Sequence, residues 1–265
     1  MRWTMEKYIP LRDLAGCLGL KEGDKVYIAS DVKRLLYSCI TNQDEKDLNV
    51  FIDSLQNIVG EEGLLIFPTF NYSFCKGETF DYWKTPSKMG HLTQLALSRK
   101  DFKRTKHPIH SMTVWGRERD ILCEMENKTS FGMDSPFQYM KDNHVKNLFI
   151  DVPCAHSYAF VHYVEETVGV EYRFFKDFTS NYIDQWGNSS QRTYSMYARD
   201  LEKNAVHTNF DFEKEFQEIH VMRKFTMNGV DYKIIQDMGK TFPIIEKDVR
   251  YNKSRKICTY AGQED

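Results

Sequence analysis

The chain has 265 residues, 41% apolar and 28% charged, the composition of an ordinary folded protein long enough to bury a full core. With 36 basic and 38 acidic residues its formal charge is −2, so it carries no excess of positive charge to hold a nucleic-acid backbone. No apolar run approaches the length of a membrane span, and Met1 to Tyr8 lacks the apolar centre of a signal peptide.

Leu11 to Leu20 reads as a short helix, Lys21 to Asp24 as a turn, and Lys25 to Ser30 as a first strand. Asp44 to Val59 has helical spacing, with Leu48, Phe51, Ile52, Leu55 and Val59 on one face. Gly63 to Phe70 is an apolar run without alternation, the mark of a strand buried on both faces and therefore parallel. Residues 71–90 form a long loop of the kind that usually has a function. A helix at Leu92–Ser98 and a strand at Ser111–Trp115 follow, then short helices at Arg117–Met125 and Ser135–Lys141. The second opens on Ser-Pro in cap positions. Leu148 to Val152 reads as a strand, and Tyr158 to Glu166 as the helix after it. Beyond residue 170 the pattern weakens to a strand near 171–175, a hairpin near 181–197, a helix near 211–224 and a strand at Tyr232–Ile235. The whole is expected to be one domain over residues 1–265. Its class is α/β: three layers, a mostly parallel central sheet flanked by helices, and a smaller mixed C-terminal part.

Six cysteines are scattered without any CxxC pair, as expected of reduced thiols in the cytoplasm rather than a zinc or redox site. The sequence contains no GxGxxG, P-loop or GxSxG elbow, which argues against a nucleotide-dependent dehydrogenase, a kinase or an α/β-hydrolase. Without HExxH spacing, no metal is expected.

The strongest chemical signal is His162, three residues before Glu165 and four before Glu166 on a helix that follows a strand end. A carboxylate beside an imidazole fixes its tautomer and supports it as a base, and either glutamate can take that part. Arg104 to Ser111 gathers cations, hydroxyls and two histidines, the groups that grip a phosphate-bearing ligand or rigidify a turn. His107 within it is the reserve base. Thr85 to Leu92 offers helix caps and a glycine at which backbone can approach a ligand. Phe131 to Pro136 is a turn before a helix whose free N–H groups suit an anion. Asp31, after the first strand, either orients an amine or caps the next helix.

Taken in order, these segments resemble the aminoglycoside 3-N-acetyltransferase family. The residues that carry the resemblance are Pro68-Thr69-Phe70, Thr85-Pro86-Ser87-Lys88-Met89-Gly90-His91-Leu92, Arg104-Thr105-Lys106-His107-Pro108-Ile109-His110-Ser111, Phe131-Gly132-Met133-Asp134-Ser135-Pro136 and Ala159-Phe160-Val161-His162-Tyr163-Val164-Glu165-Glu166. The resemblance covers roughly residues 10–170. Residues 170–265 match less well and are expected to form an acceptor-side subregion. The resemblance implies an enzyme that moves an acyl group from acetyl-CoA or another acyl-CoA to an amine. It implies His162 as base, supported by Glu165 or Glu166. Ser30, Asp31, Val32, Thr85, Ser87, Met89, Arg104, His107 and Ser111 would then border the coenzyme. Asp31, Thr69, Tyr72, Phe131 and Asp134 would border the acceptor, and backbone N–H groups near Ser30 or Thr69 would serve the developing negative charge.

Two departures bear on the substrate. The HSSL-like motif of antibiotic-modifying members reads Ala29-Ser30-Asp31-Val32 here, and the family's threonine before the histidine is Ala159. Such a motif is more similar to branch members that acylate amino sugars. The expected acceptor is therefore a nucleotide-linked 3- or 4-amino deoxysugar for surface polysaccharide synthesis, and the alternative is an aminoglycoside antibiotic. An aminoglycoside pocket should be acidic, and Asp211-Phe212-Glu213-Lys214-Glu215 is the segment that could supply the charge. The expected partners are these two substrates, with no nucleic acid and no membrane. Homo-oligomerisation stays open.

Overall fold

A computed structural model describes residues 7–203, 205–207 and 210–260. Met1 to Glu6, most of the segment read for a leader, lies outside the described residues. The chain opens with α1 (Leu11–Cys17), β1 (Lys25–Ser30), α2 (Lys33–Thr41), α3 (Leu48–Val59) and β2 (Leu64–Pro68). Next come β3 (Phe80–Asp81), α4 (His91–Ser98), β4 (Lys103–Arg104), β5 (Met112–Gly116), α5 (Arg119–Cys123), α6 (Pro136–Asp142) and β6 (Lys146–Ile150). Then follow α7 (Cys154–Ser157), α8 (Phe160–Val168), β7 (Arg173–Ile183), β8 (Ser189–Arg199), β9 (Ala205–His207), α9 (Glu213–Glu218), β10 (Met222–Met227), β11 (Val230–Ile235), α10 (Phe242–Tyr251) and β12 (Cys258–Tyr260).

The central sheet has seven strands in the order β10-β11-β6-β1-β2-β5-β4. β1 runs parallel to both β2 and β6, and every pairing outside this heart is antiparallel. Successive residues of a strand point to opposite faces, and the two cores obey that period. Val26, Ile28, Leu65, Phe67, Leu148 and Ile150 pack with α1, α2, α3 and α4. Tyr27, Ala29, Leu64, Ile66 and Phe149 pack with α5, α6, α8, α9 and α10. Helices therefore cover both faces, and the apolar runs of β1, β2 and β6 are explained.

α3 begins at Leu48 rather than Asp44, with Asp47 as its cap. Asp44 is engaged elsewhere: its carboxylate accepts from the Leu11 N–H at 2.7 Å and from the Tyr8 hydroxyl at 2.8 Å. The strand near 171–175 and the hairpin near 181–197 are one long hairpin, β7–β8, paired from Arg173↔Arg199 to Ile183↔Ser189. Short β3 adds to it in parallel through Phe80↔Tyr182. The helix expected near 211–224 stops at Glu218, and Met222 onward is strand. β1, β2 and β6 all end at one edge of the sheet, where open α/β folds keep their ligand crevice.

Candidate active site

A cavity of about 400 Å³ opens at that edge. Its floor is Ala29 and Ser30 from β1, Pro68 from β2 and Val152 just past β6. Its walls include Tyr72, Lys88, Met89, His110, Phe131, His156, Tyr158, His162 and Phe210. A second cavity of about 360 Å³ shares Ser30, Met89 and Val152 with it and adds Asp31, Val32, Lys33, Gly90 and His91. Ser30 stands at the junction, and its hydroxyl is buried without a hydrogen-bond partner among the described residues. Gly90 takes φ of 110° there, and a Cβ on it would lie 3.5 Å from the Ser30 carbonyl oxygen. A side chain is disfavoured at that φ, so the glycine keeps the backbone close to β1.

α8 presents His162 to the cavity. The helix has no side-chain cap at Ala159 and ends on Gly169 in the left-handed conformation, φ 76°. One turn of helix brings His162 Nδ1 to 2.6 Å from Glu165 Oε2. The histidine side chain is 29% exposed, and the carboxylate is fully buried. Two further groups reach the other carboxylate oxygen: the Tyr172 hydroxyl donates at 2.8 Å, and Arg173 Nε lies 3.0 Å away in an ion pair. With Nδ1–H directed at Glu165, the basic lone pair of the neutral ring lies on Nε2. The second acid, Glu166, turns away from the ring toward Thr129 and the Phe131 backbone, and burial raises its pKa.

The structure divides the other candidates sharply. Ser30, Tyr72, Met89 and Phe131 line the larger cavity, and Asp31 and Val32 the smaller one. Asp31 also accepts from the Lys33 N–H at 3.0 Å, so it closes the first turn of α2. Thr69, Thr85, Ser87, Arg104, His107 and Ser111 line neither cavity. Arg104 is buried; its guanidinium donates to Ser111 Oγ at 3.0 Å and to the carbonyls of Tyr82 and Thr85 at 3.1 and 2.7 Å. It lies over the Phe80 ring, and burial without a carboxylate lowers its pKa to about 10. These bonds tie the guanidinium to the loop at Tyr82 and Thr85. Thr85 Oγ1 accepts from the Asp81 N–H, and Ser87 Oγ accepts from the Met89 N–H, so both hydroxyls serve local turns. The Thr69 N–H is already bonded to the Ser111 carbonyl at 2.8 Å and is not a free donor for developing charge. Asp134 is exposed beside Gly132 and Glu166.

His107, the reserve base, is buried, and desolvation drives its pKa down to about 3. Its Nδ1 accepts from the His110 N–H at 3.2 Å. His110 was missed in the sequence although it sits in the same motif. It is buried, bonded to Ser130 Oγ at 2.7 Å and the Tyr72 hydroxyl at 3.2 Å, and held well below its ordinary pKa by burial. Cys154 is buried with its thiol pushed up to about 12, which leaves it inert as a nucleophile. Tyr172 and Arg173 were missed as well, because nothing in their spacing ties them to His162.

The described lining of the larger cavity contains no carboxylate. Of the acidic segment expected to supply one, Glu213 pairs with Lys224 and Lys233 and Glu215 with Lys256, while Asp211 is exposed just after the cavity-lining Phe210. Among the described residues, no group of three or more histidines, cysteines or acids is placed to hold a metal ion.

The family model described as aminoglycoside 3-N-acetyltransferase matches residues 32–238. No curated protein matches the chain by sequence. Solved structures match in fold. The YokD protein from Bacillus subtilis is 16% identical, with a TM-score of 0.77, over 95% of this chain and 97% of that one. The aminoglycoside acetyltransferase AAC(3)-Xa is 16% identical, with a TM-score of 0.73, over 89% and 90%. AAC-IIIb, solved as a binary complex with CoASH, is 13% identical, with a TM-score of 0.76, over 98% and 100%.

Proposed function

The chain belongs to the aminoglycoside 3-N-acetyltransferase family, and on that premise we propose that it acylates the amine of an amino sugar that carries a negative charge. It is an acyl-CoA-dependent N-acyltransferase. The observation that supports the acceptor class is the pairing of a histidine–glutamate dyad with a cavity whose lining includes Lys88 and His156. A polycationic antibiotic gains nothing from such a wall, whereas a nucleotide-linked 3- or 4-amino deoxysugar brings phosphates that suit it.

When bound, acyl-CoA supplies the activated acyl group as a thioester. The residues present fit it: the two cavities share Ser30, Met89 and Val152, and the buried Ser30 hydroxyl there has no hydrogen-bond partner among the described residues. Met89, Val32 and Gly90 would border the coenzyme there. A sugar amine is protonated at neutral pH and attacks only after losing a proton. His162 takes that proton at Nε2 while Glu165 holds Nδ1–H and stabilises the charged ring. Phe131 and Phe210 pack edge-on against the imidazole and limit its rotation.

We read the chain as a single acyltransferase domain, with the part beyond residue 170 on the acceptor side. β10 and β11 extend the same sheet beside β6, and Arg173 at the base of the hairpin reaches the dyad. We place it in the cytoplasm: all six cysteines are free thiols, as a reducing compartment keeps them. No helix among the described residues is long and apolar enough to cross a membrane.

One observation favours the antibiotic reading. Asp134 and Glu166 lie together against Gly132, two carboxylates that could hold an ammonium. An acceptor panel decides between the two. Nucleotide-linked 3-amino and 4-amino deoxysugars are assayed beside kanamycin-type aminoglycosides, with acetyl- and hydroxybutyryl-CoA, by release of the free thiol. The proposal expects turnover with a nucleotide-linked sugar and little with the antibiotics; the reverse order overturns it.

A further inference from the structure

Glu165 poses a problem that the histidine alone does not solve. It is fully buried, and its resting partner on one side is an imidazole that must be neutral to act as a base. A buried carboxylate needs a lasting counter-charge, because an uncompensated one is costly. Arg173 is placed to supply it. Its Nε lies 3.0 Å from Glu165 Oε1, and its Nη2 lies 3.3 Å from His162 Nδ1. With Nδ1–H given to Glu165 Oε2, the second contact is electrostatic rather than a hydrogen bond. Nη1 donates to the Tyr197 carbonyl on β8 at 2.9 Å, so the guanidinium is itself fixed. The neighbouring Tyr172 hydroxyl donates to the same carboxylate oxygen, Oε1.

The route from backbone to dyad is short. After the left-handed Gly169, the Val170 N–H bonds back to the Glu165 carbonyl at 3.2 Å, and the Arg173 N–H to the Val170 carbonyl at 3.4 Å. The Tyr197 hydroxyl donates to the Val170 carbonyl at 2.6 Å. The turn after α8 and the root of the β7–β8 hairpin are thus tied together directly beneath the catalytic pair.

We propose that Arg173, assisted by Tyr172, is a positioning residue: it compensates Glu165 throughout the cycle, so that the carboxylate orients His162 instead of taking its proton. The inference rests on the reading of His162 and Glu165 as the catalytic pair. Because Arg173 acts through Glu165, its loss should matter only while Glu165 is charged.

The test is a double-mutant cycle on the full chain, with thiol release followed at varied acyl-CoA and acceptor. Glu165→Gln and His162→Ala are measured first, and both should lower kcat. Arg173→Met is expected to lower kcat on the order of ten- to a hundredfold while KM for acyl-CoA changes less than about twofold. Arg173→Lys, which keeps the charge, should recover most of the loss. In a Glu165→Gln background, adding Arg173→Met should change kcat by less than about twofold. If Arg173→Met alone does not fold, Arg173→Lys and the double variant still decide, since the double variant buries no unpaired carboxylate at this site. Full additivity of the two losses, or no loss on Arg173→Met, overturns the positioning role. Normal kcat in both Glu165→Gln and His162→Ala instead sinks the catalytic pair itself, so the two failures are distinguishable.

Discussion

Two regions of this molecule carry histidines in suggestive company, and the fold treats them in opposite ways. On α8, His162 is partly open to a cavity and bonded to a buried carboxylate that has its own cation. In the strap from Arg104 to Ser111, His107 and His110 are buried, and their hydrogen-bond partners are a backbone N–H, a serine and a tyrosine. The first environment sets a partly exposed imidazole against a carboxylate. The second resists protonation, because nothing nearby repays the loss of water around a cation. His162 meets the cavity with a carboxylate behind its ring, His110 meets the same cavity through serine and tyrosine hydroxyls, and His107 lines neither cavity; the difference lies in one carboxylate.

The largest effect that could break this contrast is on turnover. His162→Ala should lower kcat by on the order of 10²–10⁴, the usual contribution of a positioned base, with the affinity for acyl-CoA nearly unchanged. His107→Gln should leave kcat within a few-fold of normal in the folded protein, since the glutamine oxygen can still accept from the His110 N–H. Steady-state kinetics on the two variants checks both arms. A comparable loss at the two positions would erase the distinction.

The next effect is on stability against pH. Burial lowers His107 from the ordinary 6.5 to about 3, and it lowers His110 in the same direction. In the unfolded chain both take up protons near 6.5, while in the folded chain they do not. Their contribution is therefore complete above about pH 6.5 and falls away as acid is added toward pH 3. The loss should reach a few kcal/mol in denaturant titrations run stepwise from neutral to about pH 4. His107→Gln should flatten part of that slope. An equal slope in wild type and variant would mean that this histidine is not held neutral by the fold.

Much of this was legible in the residues, and the gaps have physical causes. The apolar runs of β1, β2 and β6 and the spacing of α3 are periodic signals written by burial, so they could be read directly. His162 with a carboxylate from Glu165 or Glu166 is legible because helical spacing brings both acids to its face, whereas the choice of Glu165 is made by the fold. Arg173 was not legible, because its contact depends on how the chain turns after Gly169. The long hairpin was read as two pieces because Phe174 and Phe175 are both exposed, which breaks the alternation of a half-buried strand. α10 was missed because only Ile245 and Asp248 are buried along it, a thin stripe. In the strap, a cation bonded to backbone carbonyls and a cation waiting for phosphate have the same letter. Only the packing of Tyr82 and Thr85 around Arg104 tells them apart.

The smallest effect sharpens the contrast at the point where the two regions meet. Lys88 belongs to the loop that Arg104 supports; its N–H bonds to the Phe70 carbonyl at 3.0 Å, and it lines the cavity that His162 also lines. If the strap builds the wall and α8 does the chemistry, Lys88→Glu should leave the chemical step alone and act on the acceptor through charge. Lys88 is exposed, so screening limits the effect to about 1 kcal/mol, or several-fold in kcat/KM. The sign carries the information. An acceptor bearing phosphates should lose, and an aminoglycoside should gain, with both changes shrinking as salt rises from about 0.02 to 0.2 M. A change in kcat at saturating acceptor, independent of salt, would place Lys88 in the chemistry and blur the division between the two regions.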